Sequence, residues 1–178
     1  DVDLDGKPEI IGGNTVYEAD GTILWESEIP DGTTAVGNFD ADAFPEIVLV
    51  RDGVYLLDHD GNLLWGPIAI PGGGRGGPPT VADFSGDGKP EIGVAGSSQY
   101  VVFNSDGSVL WQAEIQDFSS NATGSTVFDF ENDGVAEVVY RDERNLWVFR
   151  GTDGAVLFKE PLNSGTWAEY PIVADVDG

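Results

Sequence analysis

Asp83-Phe84-Ser85-Gly86-Asp87-Gly88-Lys89-Pro90-Glu91-Ile92 is the stretch around which the 178-residue chain is organised. Oxygen-bearing side chains fill its first, third and fifth places. Glycine takes the sixth, glutamate the ninth, and an aliphatic residue follows. Alternate oxygen ligands in a tight loop suit a hard cation such as calcium, which takes about six to eight oxygens. A glycine lets such a loop turn back on itself.

The same register recurs. The first copy is Asp1, Asp3, Asp5, Gly6, Glu9, and the second is Asn38, Asp40, Asp42, Ala43, Glu46. The fourth is Asp129, Glu131, Asp133, Gly134, Glu137, and a fifth opens with Asp175 and Asp177. Starts at 1, 38, 83, 129 and 175 are 37, 45, 46 and 46 residues apart. A near-constant period in this range marks a repeat architecture. The units are about 1–37, 38–82, 83–128 and 129–174, with a truncated motif at 175–178, in one domain spanning 1–178.

The formal net charge is −24, and the acidic motifs hold 16 of the 32 aspartates and glutamates. The acidity is therefore largely gathered in loops. Such a surface repels nucleic acid and anionic membranes, which are themselves polyanions. No apolar run approaches the length of a membrane span, so membrane insertion is not expected. Cysteine is absent, which removes disulfide and thiol chemistry. Loops this acidic fill best where calcium is millimolar, which points to an extracellular, secreted or cell-surface setting. Methionine is also absent, and an opening on Asp1 reads as a processed product or an excised piece.

Each unit carries a second signal. Asp-Gly stands at 20–21, 60–61, 106–107 and 153–154, between runs rich in β-formers, and predicts a hairpin. Four residues after each glycine comes Trp25, Trp65, Trp111 or Phe158. These aromatics read either as sugar-stacking platforms or as a repeated core contact, and their identical spacing favours the core.

Around these landmarks the sequence predicts strands at 9–13, 15–19, 22–27, 33–37, 46–50, 54–58, 62–66, 79–82, 91–95, 100–104, 108–115, 125–128, 137–141, 145–150, 155–160 and 171–174. No stretch has a 3.6-residue apolar period, so no helix is expected. The links after each third strand vary most, and ligand specificity is usually placed there. One of them, 71–79 (PGGGRGGPP), lacks the ending of a phosphate-binding loop and reads as a plain flexible loop.

The loops begin like an EF-hand, but place twelve is Gly12, Leu49, Val94 and Tyr140, and the flanks are strands. An EF-hand is excluded. DVDLDGKPEI, DFSGDGKPEI, DFENDGVAEV and the Asp-Gly…Trp hairpins resemble instead the FG-GAP (or VCBS) repeat of integrin α-chains and secreted bacterial β-propellers. The resemblance runs over the whole chain. It implies an all-β propeller of four four-stranded blades, with each acidic loop joining the first two strands of a blade and binding calcium. Carried over by position, the side-chain ligands are Asp1, Asp3, Asp5 and Glu9; Asn38, Asp40, Asp42 and Glu46; Asp83, Ser85, Asp87 and Glu91; and Asp129, Glu131, Asp133 and Glu137. Backbone carbonyls come from Lys7, Phe44, Lys89 and Val135, and Asp175 and Asp177 begin the truncated site. Asn38, Ala43 and Ser85 depart from the pattern and weaken their loops.

His59 is the only histidine, and no Ser-His-Asp or histidine-metal grouping is visible. The expected function is non-enzymatic: structure, adhesion or assembly. The alternative is a carbohydrate-binding or ancillary domain of a secreted polysaccharide-degrading enzyme, with Trp167 and Tyr170 as stacking candidates. Partners would be a protein or glycan at the variable loops, or a further copy of the chain. The strand count, three in the first unit and a surplus one at 171–174, predicts that 171–174 completes the first blade beside 9–13. It would do so by closing its own ring or by joining the next molecule of a head-to-tail filament, and a third case is a piece cut from a larger propeller of about seven blades.

Overall fold

The computed structural model describes residues 1–166 and 169–177. Every regular element among them is a strand. β1 (Ile10–Gly12), β2 (Thr15–Tyr17) and β3 (Ile23–Glu26) form the first sheet. β4 (Thr33–Gly37), β5 (Glu46–Val50), β6 (Val54–Leu57) and β7 (Leu63–Ile68) form the second. β8 (Thr80–Ala82), β9 (Glu91–Ala95), β10 (Gln99–Phe103) and β11 (Val109–Glu114) form the third. β12 (Ser125–Phe128), β13 (Glu137–Arg141), β14 (Asn145–Phe149) and β15 (Val156–Pro161) form the fourth. All are antiparallel meanders in chain order, the four blades of a β-propeller.

Local chemistry accounts for the turns. In each Asp-Gly hairpin the glycine has positive φ, between 70° and 88°, where a side chain would be strained. Its N–H is held by the residue that opens the turn: Glu18, Asp58, Asn104 or Arg150. β5 and β9 are buried at every position, and β13 at all but its last. β5 and β9 have a neighbouring sheet packed on each face, which buries both.

The core lies between sheets. One cluster joins the first sheet to the second through Val2, Val16, Ile47 and Leu57. Another joins the second to the third through Val48, Val50, Leu56, Ile92, Val94 and Phe103. The last joins the third to the fourth through Tyr100, Trp111, Tyr140, Trp147 and Phe149. At each junction the indole N–H of one unit donates to the next hairpin: Trp25 to the His59 carbonyl at 2.7 Å, Trp65 to Ser105 at 2.9 Å, Trp111 to Gly151. Trp25, Trp65 and Trp111 are therefore core contacts, whereas Phe158 in the fourth unit is exposed. The hairpin glycine of the next unit makes room for them: a Cβ on Gly61 would stand 2.6 Å from the Trp25 ring, and one on Gly154 2.4 Å from Trp111.

The expectation for 171–174 is corrected. Those residues form no strand, and the first sheet keeps three strands with β1 at its edge. No core cluster among the described residues joins the fourth sheet to the first, so the partner edge is not at hand. After β15 the chain returns toward β12 instead: the Glu169 carbonyl accepts the Gly124 N–H at 3.2 Å, and Glu169 pairs with Arg141 at 2.9 Å. The glycine-rich link is also not loose. Gly72, Gly73, Gly74 and Gly76 all have positive φ, and a Cβ on Gly77 would meet the Thr123 carbonyl at 2.1 Å.

Hairpin glycines with and without an overlying ring separate two costs. Gly21→Ala has no neighbour within 4 Å and should lose only the left-handed strain, about 1–2 kcal/mol. Gly61→Ala and Gly154→Ala should lose about 1–3 kcal/mol more through overpacking. Urea unfolding of the three variants measures the difference, and equal losses would rule out the ring-on-glycine junction.

Candidate metal centres

The acidic loops join β4 to β5, β8 to β9 and β12 to β13, and the first one leads into β1. Each folds around its own carboxylates. The ninth-place glutamate turns inward and its Oε2 accepts the N–H of the second place: Glu9 from Val2 at 2.5 Å, Glu46 from Phe39 at 2.5 Å, Glu91 from Phe84 at 2.7 Å, Glu137 from Phe130 at 3.0 Å. The fifth-place aspartate accepts the seventh N–H: Asp5 from Lys7, Asp42 from Phe44, Asp87 from Lys89 and Asp133 from Val135, at 2.7–2.9 Å. These bonds leave the seventh-place carbonyls unused by the same contacts.

Three loops bring carboxylates together. Oxygens of Asp1, Asp3, Asp5 and Glu9 lie within 4.8 Å of one another, as do those of Asp40, Asp42 and Glu46, and of Asp83, Asp87 and Glu91. The fourth loop does not gather three of its acids this closely, with the longer Glu131 standing in the third place. Asp175 and Asp177 repeat one local bond, the Asp177 N–H to Asp175 Oδ1 at 3.2 Å, without forming such a cluster. Ser85 keeps the third-place role in the backbone, accepting the Asp87 N–H at 3.3 Å.

The second loop solves its missing glycine by a different backbone. Elsewhere the sixth place is left-handed, at Gly6 (φ 89°), Gly88 (84°) and Gly134 (90°). Its N–H then reaches the first-place aspartate at 2.8–3.0 Å. Ala43 stays out of that region. Asn38 therefore donates its amide to the carbonyls of Asp42 at 2.8 Å and Phe44 at 3.5 Å. The Phe44 ring stacks on His59 at 4.0 Å, which places the single histidine as a packing residue beside its turn.

A cluster of like charges needs compensation. Within the first loop Lys7 Nζ supplies some, 2.7 Å from Asp5 Oδ2, and this bond holds the Asp5 carboxyl below its ordinary value. Glu9 Oε1 is buried with no hydrogen-bond partner. Burial, and then the charges of Asp40 and Asp42, raise the Glu46 pKa; burial and the neighbouring acids Glu131, Asp133 and Asp129 do the same at Glu137. An all-oxygen donor set with an orphaned buried oxygen fits a divalent hard cation.

Two buried aspartates outside the loops escaped the sequence reading. Asp117 accepts bonds from Thr166 Oγ1 at 2.7 Å, Ser120 Oγ at 2.9 Å and the Thr123 N–H at 3.2 Å. Burial opposes its charge, yet the bonds from Thr166, Thr123 and Ser120 outweigh it and lower its pKa. Asp142 takes Trp147 Nε1 at 2.8 Å and the N–H groups of Gln116, Arg144 and Asn145 at 2.7–2.9 Å. No fixed spacing announces either residue. They rigidify the link before β12, beside a cavity of about 570 Å³ lined by Arg51, Arg75, Pro78, Ser120 and Tyr170. Trp167 lies outside the described residues.

Residues 38–94 match the FG-GAP-like repeat family. The match covers about a third of the chain, the second acidic loop to the start of the third unit. No curated protein sequence matches it. Among solved structures it is similar to the Vibrio cholerae biofilm matrix protein Bap1, with 16% identity, a TM-score of 0.83, and coverage of 100% of this chain and 57% of that one. It is also similar to the rhamnogalacturonan lyase YesW (22% identity, TM-score 0.61, 95% of this chain and 29% of that one). An Agrocybe aegerita lectin that recognises non-reducing terminal N-acetylglucosamine matches at 16% identity and TM-score 0.53, over 88% of this chain and 49% of the lectin. This chain thus spans 57%, 29% and 49% of these proteins, and at such identities the likeness is one of fold.

Glu46 gives the site a pH signature. Its raised pKa means that the stability tied to its protonated form is complete below the ordinary value of 4.5 and is lost as pH rises through the raised one. In chelated protein, Glu46→Gln keeps the acceptor for Phe39 N–H and should flatten that loss. Urea midpoints of wild type and variant at about pH 5 and 7 test it, since the variant should gain on the wild type at the higher pH.

Proposed function

We propose that this chain is a calcium-stabilised, non-enzymatic β-propeller module with a structural, adhesive or assembly role outside the cell. The observation that carries the reading is the recurrence of a carboxylate cluster at the same place in three successive units, one of them with the buried, unpartnered Glu9 Oε1. Asp1, Asp3, Asp5 and Glu9 hold the ion in the first loop, and Asp83, Ser85, Asp87 and Glu91 in the third. Asn38, Asp40, Asp42 and Glu46 serve the second, and Asp129, Glu131, Asp133 and Glu137 the fourth. The carbonyls of Lys7, Phe44, Lys89 and Val135 complete the sets. The ion's contribution is charge neutralisation: it lets each loop keep its acids packed against strand ends.

Extracellular calcium is abundant enough to fill such loops, and the likeness to a biofilm matrix protein supports an assembly role. A glycan-binding role is the second reading. It rests on the cavity with Arg51 and Arg75 in its wall and the Tyr170 ring, 63% exposed, at its edge. Likeness to a lectin and to a polysaccharide lyase supports it. Exposed aromatic faces stack on sugars, and a glycan array on the isolated chain separates the two readings.

A ligand bound only by the folded state stabilises it by mass action. Excess EDTA should therefore lower the melting temperature by many degrees. Calcium should restore it and magnesium should do so poorly, because magnesium demands a smaller octahedron. An unchanged melting curve would end the calcium reading.

Site by site, the second loop should bind more weakly than the third. Asn38→Asp should tighten it, and Asp87→Ala should empty the third loop alone. Calorimetric calcium titration of the two variants reads both effects, and a loss of every site in Asp87→Ala would contradict independent loops.

A further inference from the structure

The packing of the glycine-rich link fixes one residue in particular, Arg75. Its N–H donates to Asn121 Oδ1 at 3.0 Å, and its carbonyl accepts the Asp52 N–H at 2.8 Å. The glycines on either side leave no slack. A Cβ on Gly74 would stand 2.9 Å from Asn121 Cβ, and one on Gly76 2.3 Å from Val50 Cγ1. The bond to Asp52 also brings Arg75 beside Arg51, and both line the cavity of about 570 Å³. Two of the chain's five arginines thus meet at one cavity, in a protein with 32 acids. Arg75 forms no ion pair among the described residues, and Arg51 has only an exposed one, with Asp52 at 3.4 Å. Such exposed pairs contribute little. Asp31 shares the wall without pairing to either arginine.

The backbone around these side chains is strained. Asp52 (φ 56°), Asn121 (φ 43°) and Thr166 (φ 40°) are left-handed without being glycine. The first two are the partners of Arg75. Thr166 bonds to Asp117, which holds Ser120 in the cavity wall. A β-branched residue such as threonine is a true outlier in that region. Strain of this kind gathers where a ligand site must be held rigid. Tyr170 stands at the rim, 63% exposed, with the preceding Glu169 carbonyl accepting the Gly124 N–H.

Building on the glycan-binding reading of this cavity, we infer that it seats an anionic sugar residue, its carboxylate or sulfate on Arg51 and Arg75 and its ring face on Tyr170. The planar guanidinium fork takes either anion through two parallel hydrogen bonds. An anion between the two guanidiniums also relieves their mutual repulsion, which a neutral sugar cannot do. The field of a chain at −24 repels anions in general, so recognition here is local and not a general attraction to a basic surface.

Calorimetric titration of the chain in millimolar calcium tests this with matched trisaccharides of glucose and of galactose. Each is supplied as the neutral sugar, the uronate, the uronate methyl ester and the 6-sulfate. The uronate or the sulfate should bind, and the tighter of the two names the anion. The neutral sugar and the methyl ester should bind about tenfold more weakly, and added salt should weaken the acid sugar. Arg75→Gln and Arg51→Gln should each cost the acid sugar about tenfold and leave the neutral one unchanged. Both side chains are exposed, so the melting temperature should hold. Arg150→Gln removes the same charge at the hairpin of the fourth unit and should change neither affinity. Equal binding of neutral and acidic sugars would overturn the inference while keeping the glycan reading, and binding of no sugar would overturn both. Acid-sugar binding that survives Arg75→Gln, as calcium bridging to the acidic loops would, also overturns it. So does triglutamate bound as tightly as the uronate.

Discussion

The packing of an indole ring over the glycine of the next hairpin is the contact on which the rest of the structure depends. A meander of three or four short strands has too little to bury by itself. Here the apolar side chains of each sheet close against those of its neighbour, so the unit of stability is a junction and not a sheet. Trp111 shows how one residue satisfies several demands: it fills the gap between the third and fourth sheets, its N–H is met by the Gly151 carbonyl, and Gly154 leaves room for its face. The Asp-Gly turn is therefore fixed twice over, once by left-handed backbone and once by what rests upon it.

The acidic loops are subordinate to this packing but tied into it. Their second residue, Val2, Phe39 or Phe84, is a core residue, and its N–H is held by the inward-turned glutamate of the same loop. The same glutamate thus belongs to the carboxylate cluster and holds the core residue in place. The Ala136 N–H also donates to the Asp83 carbonyl at 2.9 Å, so the third and fourth loops touch directly.

Most of this was legible because it repeats. Strands β4, β5, β9, β12 and β13 have the predicted bounds, and the other ten differ by one or two residues at one or both ends. The Asp-Gly spacing located both the hairpins and the core aromatics. What failed was the step from counting strands to closing a ring. The count of 171–174 with the first unit was arithmetically sound, yet strand number carries no information on curvature, which sheet-to-sheet packing sets. Ala43 departs from the glycine pattern, but one loop's capacity to avoid the left-handed backbone and reroute through the Asn38 amide is not written in its spacing. Asp117 and Asp142 were hidden among 32 acids, since only their burial and their partners distinguish them.

Neighbour-only packing also bears on how the chain acquires its structure. The indole bonds link residues 34 to 40 positions apart, and bonds such as Asp117 to Thr166 reach 49. These separations are about one repeat long. A unit emerging from the ribosome finds its cover as soon as the following hairpin is made, and it need not wait for the far end of the chain. Loop-closure entropy is met in small instalments, which favours fast folding for an all-β protein. The hydrophobic face at the growing end of each inner unit stays open only for the time taken to synthesise about forty residues.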